Sequence, residues 1–317
     1  MVLTSRRHDG GSRQRHPMLD LEYRHVDVFS RSAFHGNGLV VVLDAGGLST
    51  TVAQELTREI RQFETAFVSD LQVASRTARL RVFTEDEELS FAGHPVLGSA
   101  AVLHSLLPEP AEEEAWTVEL GRRRLTVLTR GHDGWVDASM DQGPAQFGPV
   151  VTGDLASRCR TALGLPAGSV PGGLPMQVVS TGLPYLIIPV HPEGLAAAAI
   201  QIPNLEPLLA ESGAKFVYVL DLTSLEGRTW DNTGRIEDVA TGSAAGPAAA
   251  YLIQHRIHPE NLPVSIAQGR FAGRPSIMEV RREPANQHFW VGGPVAPVAA
   301  GQFHARLSSP VDKVHVS

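Results

Sequence analysis

The chain has 317 residues, 43% of them apolar, and a formal net charge of -7; that is length for two domains with full cores, and too little positive charge for a nucleic-acid footprint. Its single cysteine, Cys159, permits no internal disulfide and no mechanism built on a pair of thiols, and it fits a reducing, cytoplasmic setting. No run of about 18 apolar residues occurs, so no membrane-spanning helix is expected.

Residues 1–17 are rich in Arg, His, Gly and Ser without an apolar core, and read as a disordered leader rather than a secretory signal, with Met18 an alternative initiator. The alternation over 21–29 then predicts a half-buried strand, and after a loop over 30–38 the run Leu39-Val40-Val41-Val42-Leu43 predicts a strand buried on both faces. Thr51 with Gln54 makes a capping box, and Val52, Leu56 and Ile60 mark the apolar side of a helix that stops before Phe63. Glu64-Thr65-Ala66-Phe67-Val68 follows, a strand pattern with a carboxylate at its head. A strand over 79–84 leads to the turn Gly93-His94-Pro95 and a helix over 96–106; residues 108–114 form an acidic, proline-marked loop. Strands over 116–120 and 124–129 and a turn at 131–134 precede the strand 135–140, and Gln142-Gly143-Pro144 begins a linker. The second half repeats the plan, with strands over 177–190, a helix over 203–211, a strand over 216–222, a second glycine turn and helix, and strands near 264–268, 276–281 and 289–292.

The repetition is visible residue by residue. Phe91-Ala92-Gly93-His94-Pro95 and the Ala-rich stretch after it are echoed by Ala240-Thr241-Gly242-Ser243-Ala244, and one offset places Gly93 on Gly242, His94 on Ser243 and Leu103 on Leu252. Two lobes of one design are the simplest explanation, each a mixed sheet around a central helix whose free N-terminal N–H groups can cradle a carboxylate. The boundaries expected are 18–142 for the N-terminal lobe, with 297–312 returning to pack on it, and 143–296 for the C-terminal lobe. A dinucleotide fingerprint is absent, because a strand follows Gly36-Asn37-Gly38 where a helix would be required.

Five positions carry candidate chemistry. Glu64, between Phe63 and an apolar strand, is either a strand-end carboxylate facing water or bonded to backbone, or a general acid–base whose pKa is raised by its surroundings. His94 at a helix start either caps the helix or serves as a neutral imidazole that orients a ligand. Asp238 is either an Asx-turn residue or an acceptor for a ligand ammonium or hydroxyl. Ser243 and Thr241 are cap residues unless the cradle is real, and Ser243 lacks the flanking glycines of a hydrolase nucleophile elbow. His255 and His258 have no third ligand nearby and read as surface residues, so no metal site is expected; Arg122-Arg123-Arg124 and Asp86-Glu87-Glu88 read as solvated faces.

Taken together, Val26-Asp27-Val28-Phe29, Gly36-Asn37, the segment from Glu64 to Val68, Phe91-Ala92-Gly93-His94-Pro95, Glu237-Asp238-Val239-Ala240-Thr241-Gly242-Ser243, Gln268-Gly269 and Gly273-Arg274-Pro275 resemble the PhzF family, in order and spacing, over the chain from Tyr23 onward. The resemblance implies an α+β, diaminopimelate epimerase-like fold of two pseudo-symmetric lobes with the active site between them. It implies Glu64 as the catalytic glutamate, His94 and Asp238 as its pocket partners, and Asn37, Gly93, Thr241, Gly242 and Ser243 at the substrate. The implied activity is a cofactor-independent isomerisation, in which Glu64 moves a proton and hence a double bond in a small cyclic or unsaturated amino-acid-like carboxylate. The setting implied is natural-product biosynthesis, with phenazine-type or alkylproline-type antibiotic precursors as substrates, and the assembly a homodimer. Gly38 and Val239 stand where the family often has proline, which implies a reshaped pocket with the machinery kept. Two other functions stay open: an epimerase or racemase with an unidentified second base, and a non-catalytic small-molecule-binding relative. Two-thiol racemisation, which the epimerase branch carries out with two cysteines, is excluded, because Asn37 and Ser243 lie near the equivalent turns and Cys159 lies far away.

Overall fold

The apolar runs become the strands of two curled sheets, each wrapped around one helix. A computed structural model describes residues 18–306; the leader expected over 1–17 and residues 307–312 of the returning segment lie outside them. The first half contains β1 (Met18–Val28), β2 (Asn37–Val42), α1 (Thr50–Ile60), β3 (Thr65–Gln72), β4 (Thr77–Phe83), the two-residue β5 (Glu88–Leu89), α2 (His94–Ser105), β6 (Glu113–Leu120), β7 (Arg123–Gly131) and β8 (Val136–Pro144). The second contains β9 (Gln146–Val151), α3 (Gly153–Ala162), β10 (Met176–Ser180), β11 (Pro184–Val190), α4 (Pro192–Ala197), α5 (Glu206–Ser212), β12 (Phe216–Asp221), β13 (Glu226–Arg228), α6 (Gly242–Gln254), β14 (Val264–Gln268), β15 (Ser276–Arg282) and β16 (His288–Arg306).

In the first lobe the strand order is β1-β2-β3-β4-β6-β7-β8-β16, and the additional pairing of β1 with β16 closes the ring. Inside it lies α2, buried from His94 to His104 with no polar face, as a helix enclosed on all sides must be. Gly98 makes the fit possible, since a Cβ there would lie 2.6 Å from Leu39 Cδ2 and 2.9 Å from Val28 Cγ2. In the second lobe β9 to β16 curl around α6, whose buried face is Ala- and Gly-rich. The pseudo-symmetry extends to the crossovers. Parallel pairs β2–β3 and β11–β12 are joined over α1 and over α4–α5, and parallel pairs β4–β6 and β13–β14 over α2 and α6. The expectation of two lobes, each a mixed sheet around a helix, is borne out.

The 19-residue β16 belongs to both sheets: its first residues pair with β15 and β8, and residues 295–306 run antiparallel to β1. One continuous apolar core surrounds the two central helices, while α1 covers the outer face of the first sheet and α3, α4 and α5 that of the second.

Several local expectations are corrected. The capping box is not formed: Ser49 is the N-cap of α1, its Oγ accepting from Val52 N–H, while Gln54 Nε2 donates to Thr84 O. The linker read at 142–144 is the end of β8, held by the pairing of Pro144 with His288. The acidic loop stops short of Glu113, and buried Glu114 forms a forked ion pair with Arg76 that holds its carboxyl down at about 2.

Candidate active site

The site is assembled where the two central helices begin. Gly93 is the N-cap of α2 and Thr241 that of α6, and in neither does a cap side chain bond the helix end. The N–H groups of His94 and Ser243 therefore find no acceptor among the described residues. These two starts face each other, because a Cβ built on Gly93 would point to within 3.8 Å of the Ser243 backbone nitrogen. Between them lies a cavity of about 310 Å³ lined from both lobes, with Glu64, Gly93 and His94 on one side and Asp238, Thr241, Gly242 and Ser243 on the other.

Glu64 stands immediately before β3, and its side chain is only 12% exposed. No hydrogen bond holds its carboxyl among the described residues, so it does not lean on backbone, and it opens on the cavity rather than on the outer surface. Burial, and after it the nearby Asp238 charge, push the carboxyl up to about 8. His94 Nδ1 is 3.5 Å from Glu64 Oε2. Burial pushes this imidazole down to about 3 and so keeps it neutral, in the same direction as the helix start at which it stands. Its Nε2 is buried without a partner. Near neutral pH both side chains are thus predominantly uncharged, and their contact is not an ion pair.

Asp238 makes the turn and also lines the cavity. Its Oδ1 accepts from Asn37 Nδ2 at 3.2 Å and from Ala240 N–H at 3.3 Å, and its Oδ2 accepts from Thr241 Oγ1 at 2.6 Å. Burial raises its pKa against the opposing pull of these bonds. Asn37 is not part of the lining; from β2 its amide reaches across the lobes to Asp238 and to Ala240 O, so it acts through the turn it holds. Gly38 leaves room for Gln62, whose Oε1 lies 2.8 Å from where a Cβ would stand.

Three contributors were not proposed as site residues from the sequence. The Tyr185 hydroxyl lies 2.7 Å from Ser243 Oγ, and burial holds that phenol in its neutral form. Gln268 donates from Nε2 to Asp238 O and Thr241 Oγ1, and its Oε1 accepts from Thr241 N–H. Trp230 joins Phe91 and Phe216 in the aromatic wall. Gln268 could have been found, since the Gln268-Gly269 pair belongs to the family pattern; Tyr185 could not, because it sits within a strand that is apolar throughout.

The other candidates fall away from this site. His255 Nε2 bonds Gln177 Oε1 and its ring packs on Tyr251, while His258 Nδ1 bonds Pro259 O. No cluster of three or more His, Cys, Asp or Glu suited to a metal ion occurs among the described residues. Cys159 is buried in the second lobe's outer core, and burial pushes its thiol up to about 11. A larger groove of about 830 Å³ runs along β7, β8, β15 and β16, but no helix start opens on it and Glu64, His94 and Asp238 are elsewhere. No described helix is long and apolar enough to cross a membrane.

Comparison with known proteins follows the same lines. Residues 26–301 match the family model PhzC-PhzF, phenazine biosynthesis-like protein. Among curated relatives, trans-2,3-dihydro-3-hydroxyanthranilate isomerase of Pseudomonas aeruginosa is 32% identical over 83% of this chain and 90% of its own, and others are named as uncharacterized isomerases. A solved structure described as a predicted epimerase from Pseudomonas aeruginosa superposes with a TM-score of 0.81 at 42% identity, covering 91% of this chain and 99% of that one. A hydroxyproline epimerase from Agrobacterium vitis, at 12% identity and a TM-score of 0.58 over 93% of this chain and 94% of that one, shares the fold alone. The diaminopimelate epimerase-like architecture expected from the sequence is borne out.

Proposed function

The chain belongs to the phenazine biosynthesis-like PhzC-PhzF family, and from that premise we propose that it is an isomerase in which Glu64 shifts a double bond by moving one proton within a small unsaturated or cyclic amino-acid-like carboxylate. The observation that carries this reading is the Glu64 carboxyl, buried and unbonded, raised to about 8 beside two opposed helix starts.

On this reading the substrate carboxylate sits between the N–H groups of His94 and Ser243, where the positive ends of two helices favour negative charge. The Glu64 carboxylate takes a proton from an activated carbon, the electron pair moves into the conjugated system, and the charge that develops is stabilised at the cradle. The same Glu64, now protonated, returns the proton to a second carbon on that face. Atoms and electrons balance within the substrate, so the step consumes no co-reactant. A carboxyl with a pKa near the working pH can both accept and return a proton without a large penalty in either direction. His94, neutral and with Nε2 unpartnered, is placed to donate to or orient the ligand. Asp238, locked by Asn37, Thr241 and Ala240, is a fixed acceptor.

The test is proton NMR in deuterium oxide with a panel of unsaturated cyclic amino acids, run beside Glu64→Gln. Double-bond migration with deuterium incorporation, lost in the variant, is the expected result. Turnover that survives in the variant removes Glu64 from the mechanism, and deuterium at the α-carbon with loss of optical activity and no bond shift replaces isomerisation with epimerisation.

A further inference from the structure

Of the 27 cationic side chains in the sequence only two are lysines, Lys215 and Lys313, and Lys215 lines the mouth of the active-site cavity. It stands just before β12, its N–H donating to Pro184 O at 2.9 Å and its carbonyl accepting from Asn232 Nδ2 at 3.1 Å, so the backbone that carries it is fixed. The ammonium lies over the Phe216 ring, 5.4 Å from the centroid, and pairs with no carboxylate among the described residues.

The other ionisable groups of the lining are engaged or neutral. Asp238 is held by Asn37, Ala240 and Thr241. Asp231 accepts from Ile236 N–H at 2.6 Å through Oδ1, and from the Thr233 N–H and hydroxyl through Oδ2. Glu64 and His94 are both pushed by burial towards their neutral forms. What the cavity presents without a partner is one positive charge, set on an aromatic wall, while the oxygens of its two aspartates are already taken by neutral donors.

We propose that Lys215 is a specificity-determining residue, binding a second anionic group on a substrate whose first carboxylate occupies the cradle between Gly93 and Ser243, so that the chain takes unsaturated ring acids with two anionic groups. The proposal rests on the cradle reading given above. The aromatic wall of Phe91, Phe216 and Trp230 would hold the ring between the two charges. A lysine suits this position as a mobile point charge at a wet rim, where a rigid guanidinium fork would demand one planar partner.

Isothermal titration calorimetry of the full chain near pH 7 separates the possibilities, using benzoate, isophthalate and terephthalate as probes that share a ring and differ in the number and spacing of carboxylates. The expected result is that one of the dicarboxylates binds wild type at least about fivefold more tightly than benzoate, the scale of one partly solvated ion pair. Lys215→Met removes that preference while leaving benzoate affinity within about twofold, and Lys215→Arg restores part of it. A dicarboxylate-to-benzoate ratio unchanged in Lys215→Met, or no preference in wild type, overturns the role of Lys215 and leaves the cradle standing. Benzoate affinity unmoved by Gly93→Ala overturns the cradle itself, and the proposal with it, as does failure of wild type to bind any of the three acids. Because Lys215 is exposed and makes no side-chain hydrogen bond among the described residues, the variant tests binding rather than folding.

Discussion

Burying an unbonded carboxyl at Glu64 has a consequence for stability that can be measured without any substrate. In the unfolded chain this group titrates at its ordinary 4.5, and in the folded chain at about 8. Between those values the folded state keeps a proton that the unfolded state has released, so stability falls as pH rises through the window and is flat above it. At about 1.4 kcal/mol per unit the full penalty is roughly 5 kcal/mol above pH 8, an upper bound of the right order. Glu64→Gln replaces the neutral acid by a side chain of the same shape that never ionises. The variant should therefore match wild type below pH 4.5 and gain on it steadily, with the gap widening by about 2.5 kcal/mol between pH 5 and pH 7. For a chain of this size that is a relative rise in Tm of roughly 5 °C. Circular-dichroism melts of both proteins from pH 4 to 8.5 provide the assay. Parallel Tm curves would refute the reasoning, because they would mean that Glu64 ionises as readily in the folded chain as out of it.

Two further outcomes follow from the same geometry. Asp238→Asn removes the charge that helps hold Glu64 up, so the rise of kcat/KM with pH, which in wild type should level off near 8, is expected to level off at lower pH; a shoulder that stays in place would uncouple the two carboxyls. Gly93→Ala keeps a negative φ of -96 and its Cβ meets no atom nearer than 3.8 Å, but that methyl fills the gap to the Ser243 nitrogen. Thermal melts should show Tm within about 2 °C of wild type, while steady-state kinetics should show KM for a carboxylate substrate raised about tenfold or more, the scale of one lost charge-assisted hydrogen bond.

What could be read from the sequence was what repeats or alternates locally. The two lobes were legible because each central helix follows a glycine turn and must let close-packed strands approach along its sides, and that demand leaves matching Gly and Ala patterns. The head position of Glu64 was legible because a carboxylate beside Phe63 and an apolar strand is a local conflict. Other features depend on partners far along the chain. Gly143-Pro144 carries the composition of a linker, yet a positive φ of 80 at Gly143 and the contact of Pro144 with β16 place it at a strand end. The helix α3 went unread because its buried face is Ala156, Cys159 and Ala162, too weakly hydrophobic to stand out against an exposed loop. In β16 the run Gly292-Gly293-Pro294 and the later Pro297 interrupt any alternation, and only pairing with β8 and then β1 keeps the strand continuous.

The same distinction separates the Glu64 carboxyl from what tunes it. Glu64, His94 and Gly93 lie within one lobe and close in sequence, but the charge that helps raise Glu64 belongs to Asp238 in the other lobe. Asp238 is in turn fixed by Asn37, which reaches back from the first sheet. Arg274 ties the lobes again, donating to Asp27 Oδ1 at 2.6 Å and to Gly36 O at 2.8 Å on the strand and loop that lead to Asn37. Proton affinity at Glu64 is therefore set first by burial and then by how close the second half of the chain brings Asp238. A substitution that loosens Arg274 should lower the Glu64 pKa without touching the cavity, as Asp238→Asn does from inside it, because either change moves or removes the Asp238 charge that the second lobe presents to Glu64.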